Sequence, residues 1–263
     1  MVDTRERSPL RSVAVPAEHG GWGLTLEPVL LGLLVVPSVA GVLLGVGAML
    51  TFVVRTPLKL ALVDLGRDRW LPRTRLAIAV AVSELAAIAV IAVAATALAG
   101  PRWWTAVAIA LPLVAVELWF DARSRGRRLV PELCGAVAVS AAVVAIVLAG
   151  GGHGPIAAGL WMILAARSIG SIPFVRTQIA RLRQREVDVR AAKLAQGAAG
   201  AVAGLAFAVT PAVWLGFAGV VAGALLQARW LDRPPVPAKV LGVRQMLLGL
   251  ALVVVTAAGA ALV

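Results

Sequence analysis

The sequence predicts an all-α protein, a polytopic transmembrane bundle of about nine spans with its N-terminus inside and its C-terminus outside. Three observations predict it. Of the 263 residues 60% are hydrophobic and only 14% charged. The apolar residues come in long runs, as in a chain whose solvent is lipid. The basic residues between those runs fall on alternate sides. A spanning helix takes about 20 largely apolar residues, so the chain is used up by spans and short loops, with no separate soluble domain.

Residues 1–23 carry Arg5, Arg7, Arg11 and Glu18 without an apolar core and read as a short cytoplasmic tail rather than a signal segment. Residues 24–263 then form a single transmembrane helical domain. Its first span, 24–37, is short and contains Glu27 and Pro28. The second covers 39–55, and the third, 76–99, follows the basic run Arg67, Arg69, Arg73 and Arg75. The fourth, 103–120, opens on Trp103 and Trp104, and the fifth, 129–149, begins after Arg123, Arg125, Arg127 and Arg128. The sixth is 155–174. The long apolar stretch 191–228 divides at Thr210-Pro211 into spans 191–209 and 211–228, because proline denies the following helix an N–H bond. The ninth is 240–262.

Only Arg102 breaks the alternation of basic loops, so the excess of Lys and Arg sets the orientation: the basic loops face the cytoplasm, as expected in a bacterial-type cytoplasmic membrane. The formal charge of +12 is therefore a topology signal, not a nucleic-acid footprint. Tryptophans 103, 104, 161 and 214 fall near the outer ends of spans and 22, 119 and 230 near the inner ends, where amphipathic rings meet headgroups. Glycines 41 and 45, 200 and 204, and 219 and 223 place small residues four apart, which suits close helix contact. Cys134, the one cysteine, has no partner for an intramolecular disulfide.

Glu27, Arg55, Glu84, Glu117 and Arg167 lie inside apolar runs, where a charge at the bilayer centre costs at least about 2.5–3.5 kcal/mol. None lies near the outer face. The simplest arrangement is a polar cavity open to the cytoplasm, with acids and arginines paired across helices. Snorkelling to the interface is the competing reading for Glu27, Arg55 and Glu117.

The second and sixth spans end alike, Phe52-Val53-Val54-Arg55-Thr56 and Phe174-Val175-Arg176-Thr177. Two similar ends running in the same direction four spans apart are what a parallel internal duplication leaves. After the first end, Asp64 and Asp68 stand four apart beside the arginine cluster, which on a helix means one face. Two readings stay open: a carboxylate pair that holds Mg²⁺ against a pyrophosphate, or neutralisation of the neighbouring arginines. Around the second end, Arg167, Ser171, Phe174, Gln178 and Arg181 follow a three-four spacing, and with Arg176 they suit a phosphate or carboxylate head. A basic loop against anionic membrane lipids is the plainer alternative. His19 stands beside Glu18 in a Glu-His-Gly-Gly-Trp turn at the cytoplasmic entrance, suited to headgroup binding or proton transfer, or simply to helix entry.

Pro16-Ala17-Glu18-His19-Gly20-Gly21-Trp22-Gly23 with Glu27-Pro28 resembles the opening signature of the YwiC-like membrane proteins. The likeness extends to Leu71-Pro72-Arg73-Thr74-Arg75 and to Arg167-Ser168-Ile169 through Arg176. This resemblance implies a membrane protein and names no activity. More distantly, the chain is similar to the UbiA prenyltransferases, nine-helix membrane enzymes with aspartate-rich motifs in the same two loops. That likeness implies Mg²⁺ gripped by both motifs and an isoprenoid phosphate as ligand. Asp64 and Asp68 match acidic positions of the first motif, but Leu60 stands at its Asn position, and arginines replace the aspartates of the second. The expected function is accordingly the binding of a polyprenyl or other anionic phosphate amphiphile, by Arg55, Arg167, Arg176 and Arg181, in a cavity lined by Glu18, His19, Glu27, Glu84 and Glu117. Prenyl transfer remains open. A small-molecule permease and a non-catalytic assembly partner are the alternatives.

Overall fold

A computed structural model describes residues 19–123, 125–126 and 128–263, with side chains from Gly21 onward. The tail 1–18 with Glu18, the His19 side chain and Arg127 lie outside them. The described residues are all helical or loop. Their helices are α1 (His19–Val35), α2 (Val39–Leu65), α3 (Pro72–Ala99), α4 (Trp104–Ala122), α5 (Leu129–Ser140), α6 (Ala142–Ala149), α7 (Gly154–Leu182), α8 (Val189–Val209), α9 (Trp214–Leu231) and α10 (Ala238–Ala261). α5 and α6 are one span with a hitch at Ala141, whose N–H bonds back to Ala138. Eight spans are long and apolar enough to cross a membrane. α1, at 17 residues, is the short ninth.

The expected elements recur with two informative differences. α1 starts at His19, so the end of the expected tail is already helical. α2 and α7 run to Leu65 and Leu182, well past the expected ends at 55 and 174. The apolar pattern stops at those ends, but the backbone continues as helix because Arg55, Lys59, Arg176 and Arg181 are good helix formers with partners on neighbouring helices. The break at Thr210-Pro211 lies where the proline predicts it, as a 3₁₀ turn over Pro211–Val213.

Burial grades across the bundle. The fifth span and α7 are each 56% buried in their apolar windows, whereas α3 is only 11% buried and turns Val82, Val90 and Val93 outward. The core therefore lies where α1, α6 and α7 meet, around Leu31, Ile146, Leu160 and Ile163. Close approach there uses glycine: a Cβ on Gly32 or Gly41 would press on Ile146, and one on Gly45 would press on Val29. Gly200 and Gly223, by contrast, face open space.

Two halves share one plan. A long helix (α2, α7) turns into a second (α3, α8), which ends at a 3₁₀ turn begun by proline (Pro101–Trp103, Pro211–Val213) and followed by a helix opening on tryptophan (Trp104, Trp214). This repetition of element order strengthens the duplication read from Val-Arg-Thr. It also equates Glu117 with Gln227, each sixteen residues beyond its proline.

Candidate functional site

The charged side chains gather at one end of the bundle, where α2, α4, α7 and α9 finish and α3, α5, α8 and α10 begin. At the α2–α3 turn, Arg73 Nε and Nη2 donate to Asp64 Oδ2 and Oδ1 at 3.1 and 2.9 Å, and Thr74 Oγ1 donates to Asp64 Oδ2 at 2.8 Å. α2 stops at Leu65, and Asp68 adopts φ 53° in the following turn. The two aspartates therefore do not share a helix face. Among the described residues no three His, Cys, Asp or Glu side chains gather to hold a metal. Asp64, with both oxygens engaged by Arg73 and Thr74, does not fit a Mg²⁺ grip as arranged.

Across α2 and α4 a second cluster forms. Arg55 Nη2 lies 2.8 Å from Glu117 Oε1 and 3.3 Å from Asp121 Oδ2, while Lys59 Nζ donates to Asp121 Oδ1 at 2.7 Å. Asp121 is fully buried. Backbone glycines make room for these carboxylates, since a Cβ on Gly126 would overlap Asp121 and one on Gly135 would overlap Glu117.

Deeper, α1 and α7 are joined by Glu27 and Arg167, whose Oε1 and Nη2 are 2.8 Å apart with side chains 5% and 9% exposed. Arg167 Nη2 also donates to the Gln245 carbonyl at 2.8 Å, tying in α10. Gly249 on α10 faces this pair, and a Cβ there would overlap Glu27 Oε1 and Arg167 Nη2. Gly249→Ala is therefore expected to lower stability by about 1–3 kcal/mol without touching a charge. Thermal unfolding in detergent checks it, and an unchanged midpoint would mean that α10 moves aside freely.

Glu84 stands apart. The α2–α3 contacts Asp64 with Thr74, Ala61 with Ala77, and Gly47 with Ile91 share one register, which sets Glu84 level with Val54. Its Oε2 is shielded and has no hydrogen-bond partner among the described residues.

The α7 stripe divides its work. Arg167 Nη1 reaches Ser171 Oγ at 3.4 Å. Gln178 Nε2 and Arg181 Nη1 donate to the carbonyls of Trp230 and Leu231 at 3.1 and 2.8 Å. They satisfy the last carbonyls of α9, and the guanidinium sits at its negative pole. Arg176 pairs with Glu132 at 2.7 Å on the exposed side. The four arginines singled out in the sequence are thus each engaged with a protein group, on four different helix seams rather than around one cavity.

Two cavities accompany them. One, of about 220 Å³, opens at the charged end between Phe174, Gln178, Trp230, Arg233, Leu241 and Arg244. Arg244 lies over the Trp230 ring at 4.9 Å. Neither Arg233 nor Arg244 has a carboxylate partner among the described residues. Gln178, 2% exposed, leaves its Oε1 without a partner there. The other cavity, of about 250 Å³, lies inside the second half between α7, α8, α9 and α10 and is walled by Arg167, Gln196, Gln227 and Gln245 among glycines, alanines and leucines. Sequence reasoning passed over these three glutamines, Arg233 and Arg244. An uncharged amide in an apolar run raises no alarm, although Gln227 at the position matching Glu117 was a usable signal.

Among the described residues, nine apolar helices, ion pairs buried between them and basic turns gathered at one end, with Arg102 the exception, define a polytopic integral membrane protein. The YwiC-like protein family model matches residues 15–147, just over half of the chain, and the chain belongs to that family. The match runs from the entry to α1 into α6, so both cavities and the stretch from Arg167 to Arg176 lie beyond it. No curated protein and no solved structure gives a match.

Proposed function

We propose that the protein binds an anionic phosphate amphiphile at its charged end, with the head against Arg233 and Arg244 and the chain passing along Trp230, Phe174 and Leu241. The observation that carries this reading is the pair of guanidinium groups without carboxylate partners in a pocket floored by aromatic rings. The other basic side chains that are not exposed, Arg55, Lys59, Arg167 and Arg181, are matched to a carboxylate or a helix end, whereas half-buried Arg244, with exposed Arg233 beside it in the pocket, is left to meet an anion from outside. With the basic loops toward the cytoplasm, the pocket opens to the inner leaflet of a bacterial-type cytoplasmic membrane. A polyprenyl phosphate supplies the required head and tail, and other membrane lipids with phosphate heads share its chemistry. The reading is one of binding. Transfer of the prenyl group would call for a Mg²⁺ site at Asp64 and Asp68, and Asp64 is turned to Arg73 instead.

Native mass spectrometry with farnesyl phosphate tests the proposal. Wild type is expected to retain the ligand, and Arg244→Gln to weaken retention about tenfold, the effect of losing one charge-assisted contact. Equal retention by wild type and by a variant carrying both Arg233→Gln and Arg244→Gln would overturn it. Retention that requires Mg²⁺ and is abolished by Asp64→Ala would instead restore the prenyltransferase reading.

A further inference from the structure

The cavity inside the second half has a chemistry of its own, independent of the headgroup pocket. Its one ionisable wall residue, Arg167, is midway along the 29-residue α7 and is neutralised by Glu27 at 2.8 Å. The remaining polar wall is amide: Gln196 Nε2 donates to the Gly170 carbonyl at 2.8 Å and reaches Gln227 Oε1 at 3.4 Å, which fixes both side chains. Three polar atoms are shielded yet have no hydrogen-bond partner among the described residues: Arg167 Nε, Gln245 Nε2 and Gln245 Oε1. In an apolar medium such atoms each cost a sizeable desolvation penalty unless something bonds to them. Two of the three donate and one accepts.

The rim of the cavity faces lipid, because Ala222 on α9 and Ala251 and Val255 on α10 are exposed in the middle of their spans. Gly219 and Gly223 keep the α9 side low. Entry is therefore lateral, from the bilayer. A charged head is disfavoured, since the wall already balances its own charges. The volume is below the roughly 300–1,000 Å³ of sites that enclose drug-sized ligands, so it holds a head while the chain stays in the membrane. The first half is arranged differently at the matching position: there Glu117, the counterpart of Gln227, meets Arg55 directly, while Arg55's counterpart Arg176 turns to Glu132.

We propose that this cavity is a binding site for the head of a neutral acyl amphiphile bearing both a carbonyl and an N–H or O–H donor, with a primary fatty-acid amide as the simplest member. The Gln245 amide, shielded in this structure and held by no hydrogen bond, turns into the cavity on binding, so that the ligand carbonyl accepts from Gln245 Nε2–H and its amide N–H donates to Gln245 Oε1.

The test is native mass spectrometry of the full-length protein in detergent with added oleamide, with oleate as the charged isostere. Wild type is expected to retain oleamide over oleate. Gln245→Leu should reduce oleamide retention at least about tenfold. Gly223→Leu should do the same by filling the cavity, and because a Cβ at Gly223 meets nothing within 4 Å it should leave the melting temperature unchanged. Arg244→Gln, at the other pocket, should leave oleamide retention intact, which separates this site from the phosphate site. Equal oleamide retention by wild type and Gly223→Leu, or preference for oleate, would overturn the proposal.

Discussion

Arg167→Leu is expected to destabilise the protein by about 3–5 kcal/mol, the usual consequence of stranding one member of a buried ion pair. Glu27 is 4% exposed, and its ion-pair partner in the structure is Arg167. Without the guanidinium, the carboxylate would stand uncompensated among apolar helices, and the Gln245 backbone carbonyl would lose its side-chain donor as well. Unfolding followed in detergent, by heat or by titration with a denaturing surfactant, gives the difference. The double variant Glu27→Gln with Arg167→Gln should recover most of the loss, because removing both charges also removes their desolvation. A double variant no better than Arg167→Leu would mean that the two residues are not coupled and that α1 is held to α7 by packing alone.

This pair also shows how far the sequence could be read. Both residues stand out as charges inside apolar runs, and the cost of leaving them unpaired was enough to predict that they meet an opposite charge on another helix. Span positions were similarly legible, since an apolar run and a basic boundary are local signals. Three things were not. The helical extensions of α2 and α7 past the lipid are invisible to hydropathy. Asp121, one helical turn beyond Glu117, lies just past the expected end of its span at 120, where an apolar run gives no sign of it, although it is the more buried of the two. The expectation of one shared cavity failed to anticipate that Arg55, Arg167, Arg176 and Arg181 would each serve a different helix seam. Which acid meets which arginine depends on helix neighbours, and alternating loops say nothing about neighbours. The glutamine cavity was missed for a related reason: Gln196, Gln227 and Gln245 come from three helices, and only packing gathers them.

Asp121→Ala should cost about 2–3 kcal/mol, less than the deep pair because its cations are partly solvated. Asp121 is fully buried and faces Arg55 at 3.3 Å and Lys59 at 2.7 Å, whose side chains are 28% and 35% exposed. Removing the carboxylate leaves Lys59 without its anion, while Arg55 keeps Glu117. Lys59→Met should cost about 1–2 kcal/mol, since the buried carboxylate of Asp121 loses its 2.7 Å contact but keeps Arg55 at 3.3 Å. This asymmetry distinguishes a carboxylate that organises the α2–α4 end from an ordinary surface pair. The loop after α4 closes against Asp121 so tightly that a Cβ on Gly126 would overlap its Oδ1, and the Arg125 N–H returns to the Phe120 carbonyl at 2.8 Å. A loop folded that closely depends on the carboxylate keeping its place, so losing Asp121 should also raise proteolysis between α4 and α5. If unfolding in detergent shows Asp121→Ala to be no more costly than Lys59→Met, the cluster is a solvated ion pair, and the glycine at 126 answers to the turn alone.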